Sequence, residues 1–126
     1  MHEYPITQEI IALACRHAAS HRADRVLAIH IVIGENAGVL ADSIALYFDI
    51  IARDTLCAGA ALSFDHIAPQ LKCSCCGALF VRRPFRFDCP VENCGGEGLP
   101  TDIGREFYIK SIEIENNDTI EDTFES

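Results

Sequence analysis

The chain has 126 residues, of which 49% are hydrophobic and 23% charged, with 10 Lys and Arg against 19 Asp and Glu, 5 His and 7 Cys. That balance suits one small globular domain with room for an insert and excludes a wholly disordered chain. The formal net charge of −9 argues against a protein built to grip phosphate backbones, and no segment reaches the roughly 18 apolar residues of a membrane-spanning helix, so neither nucleic acid nor membrane is an expected partner.

Residues 5–20 read as an amphipathic helix. Pro5 suits a first helical position, and Ile6, Ile10, Leu13, Ala14 and His17 recur at helical spacing. Cys15 falls inside it as a small apolar residue. Residues 25–33 switch to period two, with Leu27, Ile29, Ile31 and Ile33 on one face and Val26, Ala28, His30 and Val32 on the other. Gly34 to Gly38 break the pattern. Residues 41–55 are a second helix, with Asp42 at its N-cap or first turn and a stripe of Ile44, Tyr47, Phe48 and Ile51; Gly59 follows its end. Residues 60–67, with Leu62 and Phe64 on one face, and 106–115 are two further strands.

This order predicts an α+β fold, a small three-stranded sheet packed by two helices. Residues 1–70 and 106–115 form the α/β domain, and 71–105 are an insert within it. Six acids and no Lys or Arg occupy residues 113–126, and residues 116–126 are expected to be an acidic, mobile tail.

The insert carries Cys73-Ser74-Cys75-Cys76-Gly77 and Cys89-Pro90-Val91-Glu92-Asn93-Cys94-Gly95-Gly96, with twelve residues between Cys76 and Cys89. Cysteines a few residues apart can aim two thiolates at one ion while turn amides bond the sulfurs, and glycine tolerates the positive φ such a turn needs. Two such knuckles give a tetrahedral four-sulfur site suited to zinc, in a zinc-ribbon-like module with four cysteine ligands. Cys73, Cys76, Cys89 and Cys94 are the candidate ligands. Cys75 could replace Cys73 or Cys76, but Cys73 with Cys76 keeps two residues between sulfurs and a glycine directly after the pair. The module has too few apolar side chains for a core of its own, so the metal would fold it. Iron could occupy the same cage in a rubredoxin-like electron carrier, and spacing does not separate the two metals. Disulfides fit less well. Seven is an odd count, and Glu3, Glu9, Arg16 and His17 leave no basic-then-apolar secretory signal at the start, so a reducing cytoplasm is expected.

Arg82, Arg83 and Arg86 lie among Phe80, Phe85 and Phe87. Such interleaving can bind nucleic acid, which makes a zinc-ribbon nucleic-acid- or protein-binding module the rival reading. The preferred one has the arginines offset the roughly −2 charge of a zinc–tetrathiolate centre and the aromatics form the small core. His17 borders the helix core, His21 sits at the helix end, and His30 and His66 lie on strands; all four read as structural.

The chain opens Met1-His2-Glu3. A free Met1 amine, the deprotonated amides of residues 2 and 3 and the His2 imidazole can form an all-nitrogen square plane, which Ni(II) or Cu(II) prefers and Zn(II) does not. Together with this opening, the strand ending Ile33-Gly34-Glu35, then Leu46, Phe48, Thr55, Gly59-Ala60 and Leu62, the two knuckles, and the closing Gly104-Arg105-Glu106-Phe107-Tyr108-Ile109-Lys110-Ser111-Ile112-Glu113 form one pattern over residues 1–115. It resembles the HypA/HybF nickel metallochaperones of [NiFe]-hydrogenase maturation. The resemblance implies a nickel-binding α/β domain with an inserted zinc domain and no catalytic residue. It implies Met1, His2 and Glu3 as the transient Ni(II) site, with Cys73, Cys76, Cys89 and Cys94 holding structural Zn(II). The implied partners are the hydrogenase maturation GTPase and the hydrogenase large-subunit precursor, with a homodimer as a further expectation. The four residues between Cys89 and Cys94, Pro5, and the acidic tail depart from the family pattern, which usually has two residues between its second pair of cysteines.

Overall fold

The computed structural model describes residues 3–82, 86–115 and 119–121. In chain order the elements are α1 (Glu3–Ser20), β1 (Val26–Gly34), α2 (Ala41–Ile51) with a 3-10 turn at Ala52–Asp54, β2 (Ala61–Ile67), β3 (Gln70–Cys73), β4 (Leu79–Val81), β5 (Gly98–Pro100), β6 (Phe107–Ile114) and β7 (Thr119–Glu121). The main sheet has the order β2-β1-β6-β7, with β1 parallel to β2 and antiparallel to β6. Parallel neighbours need a crossover, and α2 supplies it between β1 and β2.

Both helices bury their apolar sides with the sheet in one core. Ile10, Leu13, Ala14 and Ala18 of α1 and Ile44 and Phe48 of α2 meet Val26, Ile29, Ile31 and Ile33 of β1 and Ile109, Ile112 and Ile114 of β6. Ser63, Asp65, Lys110 and Glu113 are exposed strand residues outside this core. His30 of β1 spans its two neighbouring strands: its Nδ1 bonds Ser63 Oγ of β2, and its Nε2 lies 4.0 Å from Glu113 of β6. His21 Nδ1 bonds the His17 carbonyl at 2.9 Å at the end of α1.

Two features depart from strict alternation. The β1–β6 register shifts between Val26 and Ala28 and again between His30 and Ile31. The first shift sets aside Leu27, which is half-buried, so that Val26 and Ile29, three apart, both point into the core. The second sets aside Lys110 between Ile109 and Ile112, with the same result. An extra residue in one strand re-aims its neighbours, so Leu27 does not share the buried face of Ile29 as period two predicts.

The sheet also has a fourth strand. Thr119–Glu121 pairs antiparallel with Ser111 to Glu113 of β6, within the segment expected to be a mobile tail. Thr119 and Ile120 favour extended backbone, and their pairing covers the hydrogen-bonding edge that β6 would otherwise present. The rest of that segment, residues 116–118 and 122–126, lies outside the described residues.

The insert forms a second sheet, β4-β3-β5, all antiparallel. Its core is Cys73, Phe80 and Cys89, with Leu71, Ala78 and Cys94 packed against them. The chain enters and leaves this module side by side: Thr101 Oγ1 donates to the Gln70 carbonyl at 2.7 Å. On the return, Gly104 presses against Gly34, where an added Cβ would lie 2.0 Å from the Gly104 oxygen. The Glu106 carbonyl accepts the Gly34 N–H and the Gly104 carbonyl accepts the Asn36 N–H, each at 2.7 Å.

Candidate metal centres

Cys73 ends β3 and Cys76 follows in the turn before β4, while Cys89 and Cys94 flank the turn that leads into β5. The structure brings these four together: their sulfurs all lie within 4.8 Å of one another. Cys73 Sγ is 3.5 Å from Cys94 Sγ, and Cys76 Sγ is 3.7 Å from Cys89 Sγ. A regular tetrahedron with zinc–sulfur bonds of about 2.3 Å has edges of about 3.8 Å, close to these two separations. Cys75 is exposed and lies outside the group of four.

Backbone amides complete each knuckle. The Cys75 and Cys76 N–H groups donate to Cys73 Sγ at 3.3 and 3.4 Å, and the Val91 N–H donates to Cys89 Sγ at 3.4 Å. The Cys76 and Cys75 amides aimed at its sulfur hold the Cys73 thiol down, to about 6. Burial pushes the Cys89 thiol up, to about 12. A divalent ion among the four would deprotonate them all. The glycine after each second sulfur has positive φ, 77° at Gly77 and 63° at Gly95, as the knuckle geometry requires. The wider second pair is absorbed locally. Asn93 adopts a φ of 64°, which Asn tolerates, and the Cys94 N–H closes a turn on the Val91 carbonyl at 3.1 Å.

Gly96, to which spacing gives no role, is buried against the cage. A Cβ there would stand 2.5 Å from Cys73 Sγ and 3.1 Å from Cys75 Sγ. The consecutive pair Gly95-Gly96 was the available signal: the first glycine serves the turn, the second the close approach.

Of the described aromatics, Phe87 departs from the expected core role. Arg86 makes a two-pronged pair with its neighbour Asp88, at 3.2 and 3.0 Å. Arg82 lies 5.4 Å from the centre of the Phe87 ring, and Phe87 is 54% exposed. Phe80 alone of the described aromatics enters the small core, because β4 is three residues long and turns only its middle residue inward. Arg83 and Phe85 lie outside the described residues.

Of the N-terminal candidates, Met1 and His2 lie outside the described residues. Glu3 opens α1, and its Oε2 accepts the Leu40 N–H at 3.1 Å. That bond holds the Glu3 carboxyl below its ordinary value. Leu40 is the N-cap of α2, and its own side chain supplies no cap. Asp42, expected at the N-cap or in the first turn, sits in the first turn.

Residues 1–114 match the family model described as hydrogenase/urease nickel incorporation, metallochaperone, hypA. The chain belongs to the HypA family. It is 41% identical over 116 residues to the hydrogenase maturation factor HypA of Caldanaerobacter subterraneus subsp. tengcongensis, covering 91% of this chain and all of that protein. To the protein of the same name from Geobacter metallireducens it is 36% identical over 115 residues, with 91% and 100% covered. The solution structure of the Ni metallochaperone HypA from Helicobacter pylori superposes with a TM-score of 0.57 at 25% identity, covering 90% of this chain and 97% of that one. The HypA family is one of nickel-incorporating metallochaperones and maturation factors, not of catalysts, and in this member Cys73, Cys76, Cys89 and Cys94 form a cluster that could hold a metal ion. Among the described residues no helix is long and apolar enough to cross a membrane.

Proposed function

We propose that this protein carries Ni(II) as cargo in the cytoplasm and delivers it during maturation of [NiFe]-hydrogenase, with Zn(II) held structurally by Cys73, Cys76, Cys89 and Cys94. The observation that carries this reading is the family match that begins at residue 1 and so includes the Met1-His2-Glu3 opening.

The chemistry divides the two ions. Four thiolates in a closed tetrahedron suit zinc and leave no open position for exchange. The Met1 amine, the amides of His2 and Glu3 and the His2 imidazole offer nitrogens in a plane, the geometry of Ni(II). A site at a chain end, with few ligands, can load and release its ion, as a carrier must. Binding requires deprotonated donors and weakens as pH falls. The partners in this reading are the hydrogenase maturation GTPase and the hydrogenase large-subunit precursor; a homodimer is the self-association to look for. The names of the relatives, hydrogenase maturation factors, support that destination.

The test is calorimetric titration of nickel into zinc-loaded protein with a free Met1 amine, beside the same chain bearing a short N-terminal extension. The extension consumes the amine, and nickel binding is expected to vanish while zinc content stays at one per chain. Equal nickel affinity in both would refute the terminal site.

A further inference from the structure

We propose that Cys15 and Cys57 form a redox-active dithiol inside the α/β core, a site at which peroxides close a disulfide that fastens α1 to the segment between α2 and β2. The two sulfurs are 3.6 Å apart although 42 residues separate them in sequence. Neither belongs to the four-sulfur cage. Cys57 has no exposed surface; its N–H donates to Thr55 Oγ1 at 3.0 Å and its sulfur lies 3.9 Å from the Ile11 carbonyl of α1. Those contacts fix its sulfur against the helix. Cys15, on α1, is only half-buried.

The unequal burial orders the chemistry. Burial, and then Cys15 itself, push the Cys57 thiol up, so Cys57 stays protonated and out of reach of dissolved oxidant. Cys15 reacts first. Its sulfur attacks one peroxide oxygen, the O–O bond breaks, and Cys15 becomes a sulfenic acid as one water leaves. The Cys57 sulfur then attacks the Cys15 sulfur. The S–S bond forms, the S–O bond breaks, and the departing oxygen takes the Cys57 proton to leave as a second water. The two thiols give up two electrons and two protons, and the peroxide takes both. Closing the bond draws the sulfurs from contact distance to about 2.05 Å, and the cross-link removes freedom from the unfolded chain. A small dithiol reductant reverses the step by exchange.

The sequence makes the test clean. Cleavage after Lys and Arg places Cys15 in residues 1–16 and Cys57 in residues 54–72, both separate from the cage cysteines. Zinc-loaded protein is treated with one equivalent of hydrogen peroxide, denatured, alkylated, digested without reduction and weighed by mass spectrometry. The expected result is a disulfide-linked pair of these two peptides, zinc retained, and a thermal midpoint raised by several degrees, all reversed by dithiothreitol. In Cys15→Ala the linked pair and the thermal shift are both absent, while the untreated variant still melts cooperatively. Zinc release with Cys57 still open to alkylation would overturn the proposal, as would a Cys15 carried on to sulfinic acid without linking, or the same thermal shift in Cys15→Ala.

Discussion

The Glu3 carboxylate caps α2: its Oε2 accepts the Leu40 N–H at 3.1 Å, from 37 residues away in sequence. A helix start leaves backbone N–H groups without partners, and here the missing acceptor comes from the first turn of the other helix. The carboxylate is thus engaged in the fold, and in the proposed nickel site Glu3 contributes its backbone amide instead.

This divides the roles of Glu3 experimentally. Glu3→Gln keeps an acceptor for Leu40 and the amide N–H, so nickel affinity should stay within a few-fold of wild type. Glu3→Pro removes the amide proton at a helix start where proline is tolerated, and nickel binding should be lost by at least 100-fold, on the order of 3 kcal/mol. Isothermal titration distinguishes them. If Glu3→Gln alone abolishes binding, the carboxylate is a ligand and must release Leu40.

The same bond has a pH signature. The Glu3 carboxyl lies below its ordinary 4.5 in the folded protein. A depressed carboxyl stabilises the fold above its unfolded value and loses that contribution as pH falls through the folded one. The stability advantage of wild type over Glu3→Gln should therefore persist at neutral pH and fade below about pH 4.5. Thermal melts of both across pH 3–7 test the sign.

Removing one cage sulfur should unfold the module and spare the rest. In Cys89→Ala we expect loss of stoichiometric zinc, and with it the roughly 10–16 kcal/mol of apparent binding free energy that structural zinc supplies in finger peptides at neutral pH. Amide exchange should become fast across residues 71–105 and remain slow in α1, β1 and β6. Stoichiometric zinc in this variant would contradict the ligand set.

Gly96→Ala tests the close approach to the cage. The new Cβ would meet Cys73 Sγ at 2.5 Å, whereas at Gly95 an added Cβ meets nothing within 4 Å. Gly95→Ala bears only the strain of its 63° φ, about 1–2 kcal/mol. Zinc competition with a chelator should show Gly96→Ala weakened by the larger factor.

Gly34→Ala should destabilise the whole molecule. Its Cβ would fall 2.0 Å from the Gly104 carbonyl oxygen, a backbone atom with little freedom to yield. Overpacking of this kind costs about 1–3 kcal/mol, readable as a lower denaturant midpoint with unchanged slope.

Much of this molecule is legible in the residue order. Helical spacing marks α1 and α2, β-branched runs mark β1 and β6, the alternation of Leu62 and Phe64 marks β2, and the paired cysteines mark the module. What escaped depends on neighbours brought in from elsewhere in the chain. The side-stepping of Leu27 and Lys110 follows from how β1 and β6 register, which no single strand encodes. The short β7 is stabilised by the β6 edge more than by its own composition. Leu40 looks like a poor cap because its acceptor, Glu3, is far away in sequence. Phe87 reads as core by type, yet it lies outside the strands of the small sheet and stays exposed with Arg82 over its ring. The contact of Cys15 with Cys57 is likewise a product of packing α1 against the β2 approach.

The most direct measurement is a nickel titration of protein with a free Met1 amine, wild type beside His2→Ala, with zinc quantified in the same samples. We predict that His2→Ala loses nickel binding while keeping one zinc per chain and its fold. Unchanged nickel affinity in His2→Ala would contradict the assignment of the N-terminal site.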